Sequence, residues 1–372
     1  MPISRRIFLF LAGSELLPVP ESQDALALGD DTARLQKLID NAPSQGVVDG
    51  SGRSYVVTRL LLKSNITFRN FNLRAKGTAT PLDAVLTIDG NTHTAHDITI
   101  NNVQIDGNRS AQTNLASEED GGRDGIRIVG KAQRITIFNC TASNCATDGL
   151  KIFSQNSLSG DDTRLNFYTI NVSNCTFNGN RRHGASGDSL RNVYFTSCEF
   201  SGNGLDVPGD SSEGGQGARN PDQIYGAGID VEGYGVGSGV DGLNFSLCTA
   251  LGNARFGFQF WDPTPPSSPR FQPRSGIVFD TCTCDGGVGD DGHQALEFSE
   301  PVAVRGGPPT YQDITVRNMR CTGTVSLYGV DDITFNGGRY RSPYPGFWGV
   351  GQYVTNIQFQ NVDCQGKIFS LT

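Results

Sequence analysis

The apolar residues of this chain recur in one frame from near the N-terminus to the last residues, and Ile135-Thr136-Ile137-Phe138-Asn139-Cys140-Thr141-Ala142-Ser143-Asn144 shows it in full. Copies begin at Ile66, Ile98, Ile135, Ile170, Val193, Leu243, Ile277, Ile314, Ile333 and Ile357, at steps of 19 to 50 residues. Self-similarity at such a period marks a repeat architecture. The shortest steps show how little chain one turn needs, so the longer ones carry insertions. Within each copy the apolar residues alternate as in a strand, pause for two residues and alternate again, as at Ile98, Ile100, Val103 and Ile105. A pause that restores the inward phase is a bend. The residue before the second pair is Asn at Asn70, Asn102, Asn139, Asn174, Asn318 and Asn361, a side chain that tolerates the left-handed backbone of a sharp corner.

The inward positions after that corner collect cysteine. Cys140, Cys175, Cys198, Cys248 and Cys282 occupy the first, Cys284, Cys321 and Cys364 the second, and Cys145 alone stands outside. With neither CxxC pairs nor His at ligand spacing, these are expected as small buried hydrophobes stacked coil on coil, not as disulfides or metal ligands. A second strand follows, marked by Gly and alternation, as in Asp124-Gly125-Ile126-Arg127-Ile128, Asp148-Gly149-Leu150-Lys151-Ile152, His183-Gly184, Ala227-Gly228-Ile229-Asp230-Val231 and Phe256-Gly257-Phe258-Gln259-Phe260. Parallel strands joined by loops and stacked at ~4.8 Å per rung predict an all-β protein, a right-handed parallel β-helix of about ten or more coils, its hand taken from the crossover rule. Residues 54–372 form this body, and residues 29–53 supply a first strand and a short capping helix with Leu35, Leu38 and Ile39 inward.

Residues 1–28 read as an N-terminal arm that packs on another subunit or a larger assembly. The competing reading is export, because Ser4-Arg5-Arg6-Ile7-Phe8-Leu9 resembles a twin-arginine signal with a small-residue cleavage candidate near Ala25 to Ala27, but Glu15 cuts its apolar core short. A net charge of −8 argues against a nucleic-acid footprint, and no window approaches the apolar length of a membrane span. With 47 glycines and 18% charged residues the composition suits strands and turns.

The Gly29-Asp30-Asp31-Thr32-Ala33 opening with Gln36, the strand pair after it and coils such as Asn65-Ile66-Thr67-Phe68 resemble the pectate-lyase-like β-helix superfamily, and most resemble phage tailspikes and polysaccharide depolymerases. The resemblance covers residues 29 to 372 and implies the fold. Its chemistry is open, since such scaffolds host hydrolases, lyases, epimerases and adhesins. The paired-Asp and Gly-His-Gly motifs of polygalacturonases are missing, as is the Tyr-Gly-Phe-Asp-Pro-His run of mannuronan epimerases. Homotrimeric assembly, and attachment of the arm to a virion tail component, are implied by the resemblance alone.

Long Gly-, Asp- and Pro-rich excursions leave neighbouring coils at 109–123, 155–164, 202–226, 233–242, 262–274 and 300–312, and sites are commonly built where loops leave a rigid scaffold. The outward positions of the second wall form a vertical file, Arg127, Lys151, Ser186, Asp230, Gln259, Glu297, Ser326, with carboxylates in its middle. Asp230 and Glu232 should lie ~7 Å apart along one strand, and Glu297 two rungs above Asp230, ~9.6 Å away at the backbone. Side-chain reach could bring either pair into the separations that glycoside cleavage uses. We therefore take Asp230, Glu232 and Glu297 as candidate catalytic carboxyls, against the alternative of a solvated strand face.

Trp261 shares that face beside Glu232 as a platform for a sugar ring, or else seals a loop. Gln259, Lys151, Arg127, His183 and Tyr234 complete the candidate substrate contacts. Asp124 and Asp148 precede Gly at one corner and read as turn caps. His183 with Arg181, Arg182 and Asp188 is a second candidate, for elimination on a uronic acid. Asp285, Asp290 and Asp291 read as a solvated loop before a cation site, and no metal or cofactor is expected. The expected protein is a virion tailspike that binds and cleaves a host-surface polysaccharide, hydrolysis being favoured over elimination. The alternatives are an exported bacterial polysaccharide lyase, hydrolase or epimerase, and a non-catalytic carbohydrate adhesin.

Overall fold

A computed structural model describes residues 16–18, 29–77, 84–112, 123–153, 167–188, 190–205, 226–232, 239–261, 274–287, 294–299, 310–341, 348–350, 354–365 and 367–371. Tyr234, Asp290, Asp291, the twin-arginine segment, the cleavage candidate and most of the long excursions lie outside them. The chain winds into a right-handed parallel β-helix. All ten frame-opening residues stack in register: Ile66 on Ile98, Ile98 on Ile135, Ile135 on Ile170, and so on to Ile333 on Ile357. Below them the strand Gly46–Val57 adds one more rung. At the top, Lys367–Leu371 turns back antiparallel on Thr355–Cys364.

Each coil has three walls. The frame's first apolar pair makes one, the pair after the Asn corner makes a short second one, and the Gly-led strands make the third, which carries the file of candidate site residues. All six corner asparagines have positive φ, from 50° to 59°. A left-handed corner also precedes every copy, at Asn65, Asp97, Arg134, Thr169, Asn192, Gly242, Gly276, Asp313, Asp332 and Asn356. Its residue types vary too widely for the sequence to announce it.

Inside, Ile135, Ile137, Cys140 and Ala142 are buried, as are their counterparts on most other coils, Ile357 and Phe359 of the last copy being half-buried. Burying each such aliphatic side chain contributes about 1.5–3 kcal/mol. All nine cysteines are free and buried. Cys145 sits at the foot of a buried corner ladder, its N–H donating to Asn180 Oδ1, whose own N–H donates to Asn203 Oδ1 and so on to Asn253. The lower end is plugged by the helix Thr32–Asn41, which turns Leu35 and Ile39 fully inward. Within the arm, Leu16–Pro18 pairs parallel with Val47 to Asp49 of the lowest rung. No helix among the described residues is long and apolar enough to cross a membrane.

Candidate functional site

The third wall aligns the outward residues as the alternation predicts. Arg127 pairs with Lys151, Lys151 with Ser186, Ser186 with Asp230, Asp230 with Gln259, Gln259 with Glu297, and Glu297 with Ser326. One step along the strands, Glu232 pairs with Trp261, and Trp261 with Ser299. Exposure differs from expectation: Asp230 is 2% exposed, and Ser186 and Ser326 are also buried. The file is an outward-facing but mostly covered polar column, neither an open strip nor a solvated strand face.

A backbone ladder at the Gly corner organises the column. Asp124 Oδ1 accepts the Asp148 N–H at 3.3 Å, Asp148 Oδ1 accepts the His183 N–H at 3.2 Å, and His183 Nδ1 accepts the Ala227 N–H at 3.1 Å. Asp124 and Asp148 thus cap the corner, and on the next rung up His183 caps it in the same way. Glycine follows each of these residues because a Cβ at Gly149 or Gly184 would come within 2.7 Å of the carbonyl oxygen on the next rung.

Asp148 is fully buried, and Arg182 grips it through Nε and Nη2, each at 3.0 Å. Ser186 Oγ donates to it at 2.6 Å. Burial alone would raise the Asp148 pKa, but the Arg182 charge overrides it and holds the carboxyl well below the ordinary range. The same pairing raises Arg182 against its own burial.

His183 is 2% exposed. Because Nδ1 accepts a backbone N–H, the ring proton sits on Nε2, 3.2 Å from Asp230 Oδ2. Burial and the nearby Arg182 charge push its pKa down to about 3. The contact with Asp230 is therefore a hydrogen bond from a neutral imidazole. Both ring nitrogens are committed, which corrects the expectation that His183 touches substrate or serves as the base of an elimination.

Burial and the Glu232 charge push the Asp230 pKa well up, and burial raises Glu232 against the pull of Arg182. The two carboxyls lie within hydrogen-bonding reach of each other. Asp230 Oδ1 is buried and receives no donor. Of the two, Asp230 is the one held toward its neutral form, and Glu232 gains from the hydrogen bond between them. Asp230 thus lies covered beside Glu232 on the same strand, which corrects its placement on an exposed surface in contact with glycan.

Glu297, half-buried, accepts from Gln259 Nε2 at 3.1 Å, and burial lifts its pKa to about 7 despite Arg255 and Gln259. The rung that carries Gln259 and half-buried Trp261 separates it from Glu232. Arg127 donates to Asp124 at 2.7 Å, with its side chain 12% exposed. Lys151 is half-buried with its ammonium over the Phe153 ring, 5.4 Å from the centroid. Asp285 accepts the Gly252 N–H with both oxygens at 2.9 Å, a capping role. No group of residues suited to hold a metal occurs among the described residues.

The sequence reading overlooked Arg182 as the partner of Asp148, and Phe153 altogether. Asp-Gly at Asp124 and again at Asp148 did announce the corner, but nothing local tied it to an arginine 34 residues on.

No protein-family model matches the chain, and no curated protein matches it in sequence. Among solved structures, the A-module of a mannuronan C-5 epimerase from Azotobacter vinelandii is similar over 92% of this chain and 96% of its own, at 12% identity and a TM-score of 0.59. A Geobacillus virus E2 protein is similar over 91% of this chain at 13% identity and a TM-score of 0.51, and the chain spans 59% of that protein's length. A tailspike protein of an Escherichia coli O157:H7 bacteriophage is a more distant match, 12% identical, with a TM-score of 0.45. At these identities the likeness establishes the right-handed β-helix fold and leaves the chemistry to the residues.

Proposed function

We propose that this protein is a polysaccharide depolymerase of the tailspike kind, which binds a host-surface glycan and hydrolyses it on the third wall. The observation that carries the reading is the pair Glu232 and Glu297, two covered carboxyls with raised pKa, that of Glu297 to about 7, set on either side of the Gln259 and Trp261 rung. A sugar lying on Trp261 has a carboxylate on one side and a proton-bearing carboxyl on the other. Two rungs and two residues separate them, ~12 Å at the backbone. Side chains reaching across the rung close this toward the ~6.5–9.5 Å of inverting cleavage.

In that reaction Glu232 takes a proton from water, and the water oxygen bonds to the anomeric carbon. The glycosidic C–O bond breaks, and the leaving oxygen takes the Glu297 proton. Asp230, braced by His183, holds Glu232 in place, and the Arg182 charge favours its ionised form. Assembly as a trimer with the arm on a virion tail belongs to the same proposal. Sedimentation at micromolar concentration tests the assembly, and a monomer contradicts it. Incubation with a panel of surface glycans tests the chemistry: a cleaved glycan is expected with wild type, and retained binding without cleavage in Glu232→Gln and Glu297→Gln. Unchanged turnover in both variants removes these carboxyls from the mechanism.

A further inference from the structure

Phe153 is an outward aromatic of the third wall that the proposed reaction does not use. It closes the strand Leu150–Phe153, is half-buried, and lies beneath two cations, Arg127 at 5.6 Å and Lys151 at 5.4 Å from its centroid. The register puts it in the same outward file as Glu232. Ile152 pairs with Gly187 and Gly187 with Val231, so Phe153, Asp188, Glu232 and Trp261 follow one another on consecutive rungs. The two aromatics are thus three rungs apart, ~14 Å along the solenoid axis, with the proposed catalytic carboxylate between them. Along the strand direction, Glu232 instead has Asp230 as its outward neighbour.

We infer that the glycan lies lengthwise along the solenoid, one sugar on Trp261 and a distant one on Phe153, so that Phe153 is a positioning residue for long chains. The deduction rests on the proposed depolymerase reading and deepens it. Pyranose faces are apolar and lie flat on aromatic rings, while their rims seek hydrogen-bond donors. The Lys151 ammonium over the Phe153 ring supplies such donors to the rim of a sugar that takes the ring's other face. A chain laid across the wall would meet only one of the two rings. The ligand class is an extended oligosaccharide, because a short one resting on Trp261 does not reach Phe153.

The test uses the glycan that wild-type protein degrades in the panel, partially digested and sized into short and long oligosaccharides by gel filtration. For Phe153→Ala, KM for long oligosaccharides is expected to rise roughly fivefold to tenfold, the worth of one aromatic stack. Its kcat should hold within about twofold, and KM for short ones should not move. Phe153→Tyr keeps the ring and should restore wild-type KM at every length. Equal changes at all lengths, or no change at any, overturn the lengthwise placement while leaving the depolymerase reading intact. If Phe153→Ala fails to fold, Phe153→Leu is read by the same length dependence. Absence of any cleaved glycan removes the depolymerase reading, and this inference with it.

Discussion

Two columns of buried side chains climb this molecule, one inside the coils and one outside the third wall, and they are buried for different reasons. The inner column of Cys140, Cys175, Cys198, Cys248 and Cys282 consists of free, buried thiols, and the coil stack alone accounts for it. The outer column holds Asp148, His183 and Asp230 at 2% exposure or less. Taking ions out of water costs several kcal/mol each, and pairing offsets that only when the geometry is good. Asp148 has such pairing in Arg182, Ser186 and the His183 N–H, whereas Asp230 has one neutral donor and an acidic neighbour. A solenoid needs the first column to stand. Perturbed carboxyls in the second are what the proposed reaction would put to use, stability being commonly conceded to chemistry at such places.

The largest effect that sharpens this contrast is on turnover. Glu232→Gln should lose ~10²–10⁴-fold in rate, the usual worth of a positioned base, with an unfolding midpoint at neutral pH no lower than that of wild type, since burial raises the Glu232 pKa.

Next comes stability. Asp148→Ala leaves Arg182 buried without its carboxylate and should cost about 3–5 kcal/mol at pH 7 in urea unfolding. Ile137→Ala on the inner wall should cost a similar ~2–5 kcal/mol. The two separate by pH. The folded-state pKa of Asp148 lies below its ordinary value of 3.8. Its stabilisation is therefore present above about pH 4 and fades as pH falls below that. The cost of Ile137→Ala should not depend on pH.

A smaller effect of opposite sign is expected at Glu297. Its pKa rises from 4.5 to about 7 on folding, so its ionisation weighs on the folded state as pH climbs through that window. Glu297→Gln should raise the unfolding free energy by about 1–3 kcal/mol at pH 8 and leave it unchanged at pH 4. Wild-type turnover should fall above about pH 7, as the acid loses its proton. A gain for Glu297→Gln at both pH values would mean that burial of Glu297 is a packing effect unrelated to its proton.

Smallest of all is the corner. Asn139→Ala should cost about 1–2 kcal/mol, because the φ of 54° is left-handed, and Asn139→Gly should be near neutral.

The contrast also explains what the chain made legible. Strand alternation repeats on every copy and the Asn corner on six of the ten, so the register from Ile66 to Ile357, and the third-wall file with it, could be read directly. The left-handed corner before each copy could not, since residues as unlike as Arg134 and Thr169 occupy it. The orientation of the file followed from period two, but its burial did not, because cover depends on neighbours distant in sequence. The roles of Asp230 and His183 were hidden for the same reason. They hang on an N–H of Ala227, which lies 44 residues past the ring that accepts it.

The most direct test of the central claim is the mass of the products released from a surface-glycan panel by wild-type protein and by Glu232→Gln. The account predicts fragments heavier by one water per bond broken, and none from the variant. Fragments lighter by that water, carrying the ultraviolet absorbance of a new double bond, or undiminished release by the variant, would contradict it.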